Sequence, residues 1–100
     1  MDYLKRRYKK NGDVVFRRIS DESILVPIKD KVGDLGFIYT INDVGTFIWE
    51  RIDGKRQLVD IKEMLVSEFG VSPSKAERDL LEFVAHLEKM GIIKADQAVP

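Results

Sequence analysis

The chain has 100 residues, 44% of them apolar, enough to enclose one core and therefore one domain. Seventeen basic residues cancel seventeen acidic ones, so no global positive field draws the chain to nucleic acid or an anionic membrane. The absence of cysteine excludes disulfides, thiol nucleophiles and cysteine-bound zinc or iron–sulfur sites, and no segment approaches the roughly 20 apolar residues of a membrane span.

Met1 to Asn11 is charged and lacks the apolar run of a signal peptide, which points to a soluble chain in the cytoplasm. Lys5, Arg6, Arg7, Lys9 and Lys10 crowd this segment, which ends at the turn signal Asn11-Gly12. Residues 1–12 are expected to form a loose, solvated basic arm. The cluster's other reading is contact with nucleic acid or with a partner's acidic patch. Val14 to Ile19 is rich in β-branched and aromatic residues, and the Ser20-Asp21-Glu22 cluster separates it from Ile24-Leu25-Val26-Pro27-Ile28. A hairpin is predicted, with Pro27 at a strand end or facing away from a neighbour because it cannot donate to a ladder. The polar stretch Lys29 to Gly36 reads as a loop, and Phe37 to Thr40 as a third strand. Three short strands need helices on one face to be stable.

Three helices follow. The first is predicted over residues 43–52, capped by Thr40 or Asn42 and ended by Gly54, with an apolar stripe of Val44, Phe47, Ile48 and Ile52. Gly45, one turn before Trp49, should clear room for a close neighbour, and Trp49 should anchor the core. Leu58, Ile61, Leu65 and Phe69 mark the second helix, which Gly70 ends; Gln57 makes a poor cap for it. Ser72 and Pro73 open the third, which runs to Met90 before Gly91. Ala76, Leu80, Val84 and Leu87 form its core stripe, and Leu81, Phe83, Ala85 and Met90 widen the apolar surface enough for something to pack on a second face. Ile92-Ile93-Lys94 should tuck back as a wing-like strand, with residues 95–100 a frayed tail.

The expected fold is α+β: a small three-stranded antiparallel sheet followed by a three-helix bundle, in a winged helix-turn-helix arrangement spanning residues 13–94. Asn42-x-x-Gly45-x-x-Ile48-Trp49-x-x-Ile52-Asp53-Gly54, the Leu58 to Phe69 pattern, and the Asp79-Leu80 to Leu87 helix with Gly91-Ile92-Ile93 together resemble the PqqD family of small peptide-binding domains, also called RiPP recognition elements. The resemblance covers roughly residues 14–94. It implies a module that holds the leader segment of a ribosomally made precursor peptide and presents it to a modifying enzyme, commonly a radical SAM protein. In that family the peptide lies against the third strand and the last helix. By position this means Phe37, Ile38, Tyr39 and Thr40 facing Leu81, Phe83, Val84, Ala85 and Glu88, with Lys75, Arg78 and Lys89 available to acidic groups on the peptide.

Other functions meet obstacles in the sequence. A DNA-binding winged helix would lay its last helix against duplex, yet here Glu77, Asp79, Glu82 and Glu88 offset Lys75, Arg78 and Lys89. His86 shares a face with Glu82 and Asp79, but one histidine and two carboxylates read as a solvated face rather than a metal site. No nucleophile–base pair or phosphate loop emerges, so neither catalysis nor a cofactor is expected. A structural subunit of an enzyme complex would use the same open sheet edge as a peptide binder.

Overall fold

The computed structural model describes residues 3–20, 22–27 and 38–96. In chain order these form β1 (Tyr8–Lys10), β2 (Val14–Ile19), β3 (Glu22–Pro27), β4 (Tyr39–Ile41), α1 (Asp43–Arg51), α2 (Leu58–Phe69), α3 (Pro73–Lys89) and β5 (Ile93–Ala95), with a 3-10 turn at Tyr3–Lys5. The fold is α+β, with an antiparallel sheet in the order β2-β3-β4 and three helices among the described residues.

The β2–β3 hairpin keeps register across six pairs, from Val14↔Pro27 to Ile19↔Glu22. Pro27 therefore sits at the strand's end, as its missing donor requires, and β3 runs for six residues up to it. At the hairpin's turn Ser20 takes a positive φ of 59°, a left-handed conformation unusual outside glycine. The third strand is Tyr39–Ile41, one residue later than expected at its C-terminal end. The expected Lys29–Gly36 loop, Ile28 and Phe37 lie outside the described residues.

Helix termini follow the local chemistry. The Asn42 side chain, not Thr40, caps α1 by accepting from the Gly45 N–H at 2.9 Å. The helix ends at Ile52 in extended backbone rather than at Gly54, which serves the following turn with φ 79°. Gln57 is rescued as a helix start because Asp60 accepts its backbone N–H at 2.9 Å, one half of a capping box. Gly70 ends α2 in the left-handed conformation, and the Ser72 hydroxyl accepts from the Lys75 N–H at 3.2 Å to open α3.

The core joins Leu25 and Ile41 of the sheet to Ile48, Trp49, Leu58, Ile61, Leu65 and the α3 stripe of Ala76, Leu80, Val84 and Leu87. Trp49 is buried, with Phe16 stacked on it and the Lys10 ammonium over its ring. The N-terminal segment departs from expectation. It is not a loose arm, since Tyr8 is 1% exposed and β1 pairs antiparallel with β5, the strand formed by the anticipated wing. The Tyr8 hydroxyl donates to Glu88 at 3.1 Å and accepts from Arg6 at 3.4 Å. Alternation explains the fixing: Tyr8 points into the core while Lys9 points out, so one aromatic anchors a strand that composition marks as solvated. The last helix and both chain ends are thereby tied together.

Candidate functional site

Among the described residues β4 pairs only with β3, through Ser23↔Ile41, Ile24↔Thr40 and Leu25↔Tyr39. No other described strand pairs with its opposite edge, the arrangement that accepts an added extended strand. A cleft of about 480 Å³ opens beside this edge, bounded by Tyr39 of β4, Val44, Gly45 and Ile48 of α1, and the α3 face carrying Lys75, Asp79, Glu82, Phe83 and His86. A second hollow of about 330 Å³ continues along the strand past Glu22, Thr40, Ile41 and Asn42, and shares Tyr39 and Phe83 with the first. The two make one groove running along β4.

Local sequence explains its depth. Gly45 lets α3 approach α1, since a β-carbon there would stand 3.1 Å from Phe83 Cε1 and 3.2 Å from Ile41 Cβ. The Phe83 ring consequently lies on bare backbone and forms apolar floor for both hollows. At the rim the rings of Tyr39 and His86 stack with centroids 5.2 Å apart and an interplanar angle of 15°. Partial burial pushes the Tyr39 phenol above its ordinary pKa, so it is neutral at physiological pH and available as a donor. Lys75 and Asp79 neutralise one another at 2.9 Å. The groove therefore combines an apolar floor, an aromatic rim and an open strand edge, which suits an extended peptide that buries side chains against Phe83.

The residues expected to contact a peptide divide into five sets. Tyr39, Phe83 and Lys75 line the groove, as does Thr40 at its continuation. Ile38 stands beside it, 60% exposed, while Leu81 is half-buried and Arg78 and Ala85 are exposed on α3 outside the residues that line it. Val84 must be withdrawn: it is 1% exposed and belongs to the core stripe, because the 3.6-residue period that exposes Phe83 turns its neighbour inward. Glu88, two residues after His86, does not line the groove and binds Tyr8. Phe37 lies outside the described residues. Sequence reasoning missed His86, Val44 and Asn42 as groove residues. The i, i+3 step from Phe83 to His86 was a usable signal for the first, but its stacking on Tyr39 depends on tertiary placement.

The family model for coenzyme PQQ synthesis protein D (PqqD) matches residues 22–93. No curated protein sequence matches the chain. Among solved structures, TbiB1 in complex with the TbiA(beta) leader peptide is 24% identical, with a TM-score of 0.72 over 86% of this chain and 94% of that one. Lasso peptide synthetase B1 complexed with the leader peptide is 20% identical, with a TM-score of 0.73 over 88% of this chain and 98% of that one. Both similarities confirm the fold.

Proposed function

The chain belongs to the PqqD family, and on that premise we propose that it is a non-catalytic module that binds the leader segment of a ribosomally made precursor peptide and presents it to a modifying enzyme. The observation that carries this reading is the open edge of β4 beside the Phe83-floored groove. Two proteins of the same fold, 24% and 20% identical, are known in complex with leader peptides, which supports it. The peptide adds as a fourth strand along Tyr39–Ile41, with its backbone pairing supplying affinity and the pockets around Phe83 and Tyr39 supplying selectivity. Ile38, Tyr39, Thr40, Phe83 and His86 form the contact surface, extended by Leu81, Ala85, Lys75 and Arg78 along α3. The modifying enzyme is a separate protein, of the radical SAM class by family habit, and the reading places both in the cytoplasm. No helix of the described residues is long and apolar enough to cross a membrane. Duplex DNA is a poorer occupant, because Glu82 at the groove would face phosphates and Lys75 is engaged by Asp79.

An NMR titration of labelled protein with synthetic leader segments of small peptides encoded beside its gene tests the reading. Shifts should concentrate at residues 38–42 and 75–86. Tyr39→Pro should weaken binding tenfold or more (about 1.4 kcal/mol) in a folded variant, by removing a ladder donor and disturbing the edge. Unchanged affinity would refute strand addition.

A further inference from the structure

The basic cluster of the N-terminal segment has no part in the peptide groove, and pairing of β1 with β5 gives it a defined shape. The register places Lys9 directly opposite Lys94. Like charges at opposed positions repel and destabilise an antiparallel pair, and among the described residues neither lysine has an ion pair. Lys9, Lys10 and Lys94 surround a hollow of about 560 Å³ together with Asn11, Gly12, Gly91, Ile93 and a single carboxylate, Glu88. That carboxylate already accepts the Tyr8 hydroxyl. The Lys10 ammonium lies over the Trp49 ring and the Asn11 amide is committed to the Gly91 carbonyl at 3.0 Å, so Lys9 and Lys94 are the hollow's available donors. None of these residues lines the groove along β4, which leaves the ribbon open while a peptide is bound.

We propose that the β1–β5 ribbon is a second interaction surface, built to dock an acidic segment of a partner protein whose carboxylates enter the hollow beside Lys9 and Lys94. Charge complementarity identifies the occupant: Lys9 and Lys94 stand side by side at a hollow whose one carboxylate is already engaged, and a segment carrying two or more Asp or Glu side chains relieves the Lys9–Lys94 repulsion. The dimensions argue for protein over nucleic acid. Each strand has three residues, about 10 Å at the usual rise, too short to track the six to ten phosphates of a typical duplex contact. The chain as a whole carries no net charge to assist such binding.

The repulsion supplies a signature that a merely solvated cluster lacks. Lys94→Glu converts the opposed pair into an ion pair, so the free protein should gain a few degrees in Tm while losing acidic-segment binding at least tenfold. The experiment is an NMR titration of the full chain with a ten-residue polyglutamate peptide, a polyglutamine peptide of equal length as neutral control, and a short DNA duplex as competitor. Shifts confined to residues 8–12 and 91–95, present with polyglutamate, absent with polyglutamine and abolished in Lys94→Glu, are expected. Unchanged polyglutamate affinity in the folded Lys94→Glu variant, shifts spread equally over Arg17 and Arg18, or tighter binding of the duplex would each overturn the proposal. Failure here leaves peptide binding at β4 untouched, because the two surfaces share no residue.

Discussion

A β-carbon at position 45 would press on Phe83 and on Ile41 from 3.1 and 3.2 Å, so the groove's floor exists because this residue is glycine. Phe83 sits at a cleft and can yield by a few tenths of an ångström, whereas Ile41 Cβ is attached to a paired strand and cannot. Gly45→Val should therefore destabilise by about 1–3 kcal/mol in chemical denaturation and shift the Phe83 ring resonances. A different residue-scale constraint lies behind β3, where Thr46 donates its buried hydroxyl to Ser23 at 2.8 Å. Thr46→Val strands the serine and should cost about 1–3 kcal/mol, much of which Ser23→Ala in the same chain should restore. Tyr8 offers a pH-dependent check. Desolvation holds its phenol above the ordinary value of 10, with Glu88 adding to the shift and Arg6 opposing it. The fold thus prefers the protonated phenol: its contribution to stability is whole below pH 10 and drains as pH rises past that point toward the folded pKa. Tyr8→Phe should flatten the loss of Tm as pH rises above 10. Gly45 and Trp49 were readable from spacing along one helix. The Ser23–Thr46 bond was not, since it joins residues 23 apart in sequence.

At the scale of elements, α1 and α3 were legible because stop signals and apolar period coincide: Asn42 and Ser72 cap them, and Ile48, Leu80 and Leu87 fall on one buried face. The start of α2 was less so, because Gln57 carries no strong cap and its help comes from Asp60. Asp60→Ala should cost about 0.5–2 kcal/mol, read as a lower urea midpoint with unchanged slope. Strand β4 illustrates the opposite limit. A third strand and an open edge were expected here over residues 37–40, but three residues beside a segment without a strong pattern do not fix their own bounds, which are Tyr39–Ile41; the proposed peptide binding rests on this edge. Val84 was legible on α3, where the apolar period sets it in the buried stripe with Leu80 and Leu87; only the family resemblance put it among the peptide contacts, and its burial removes it from them while Phe83 meets the groove.

For the whole molecule the decisive contact is between its ends. β1 and β5 pair through Tyr8↔Ala95, Lys9↔Lys94 and Lys10↔Ile93, and Gly54 and Leu58 donate backbone hydrogen bonds to Tyr8 and Arg6. Deleting residues 1–12, which as a loose arm would be harmless, should instead cost at least ~3 kcal/mol by exposing the site Tyr8 fills. A thermal melt of the truncated chain checks this, and an unchanged Tm would contradict the packing described. The sequence by itself determined the α+β class, the order of strands and helices, the apolar stripes that meet in the core and the family resemblance, because period, caps and turn residues act over a few positions. Tertiary structure alone decided that the basic N-terminal segment becomes a strand, that His86 stacks on Tyr39, and that Gly45, Phe83 and the free edge of β4 enclose one groove. Each of these joins residues distant along the chain, and such pairings depend on shape and burial that no local pattern records.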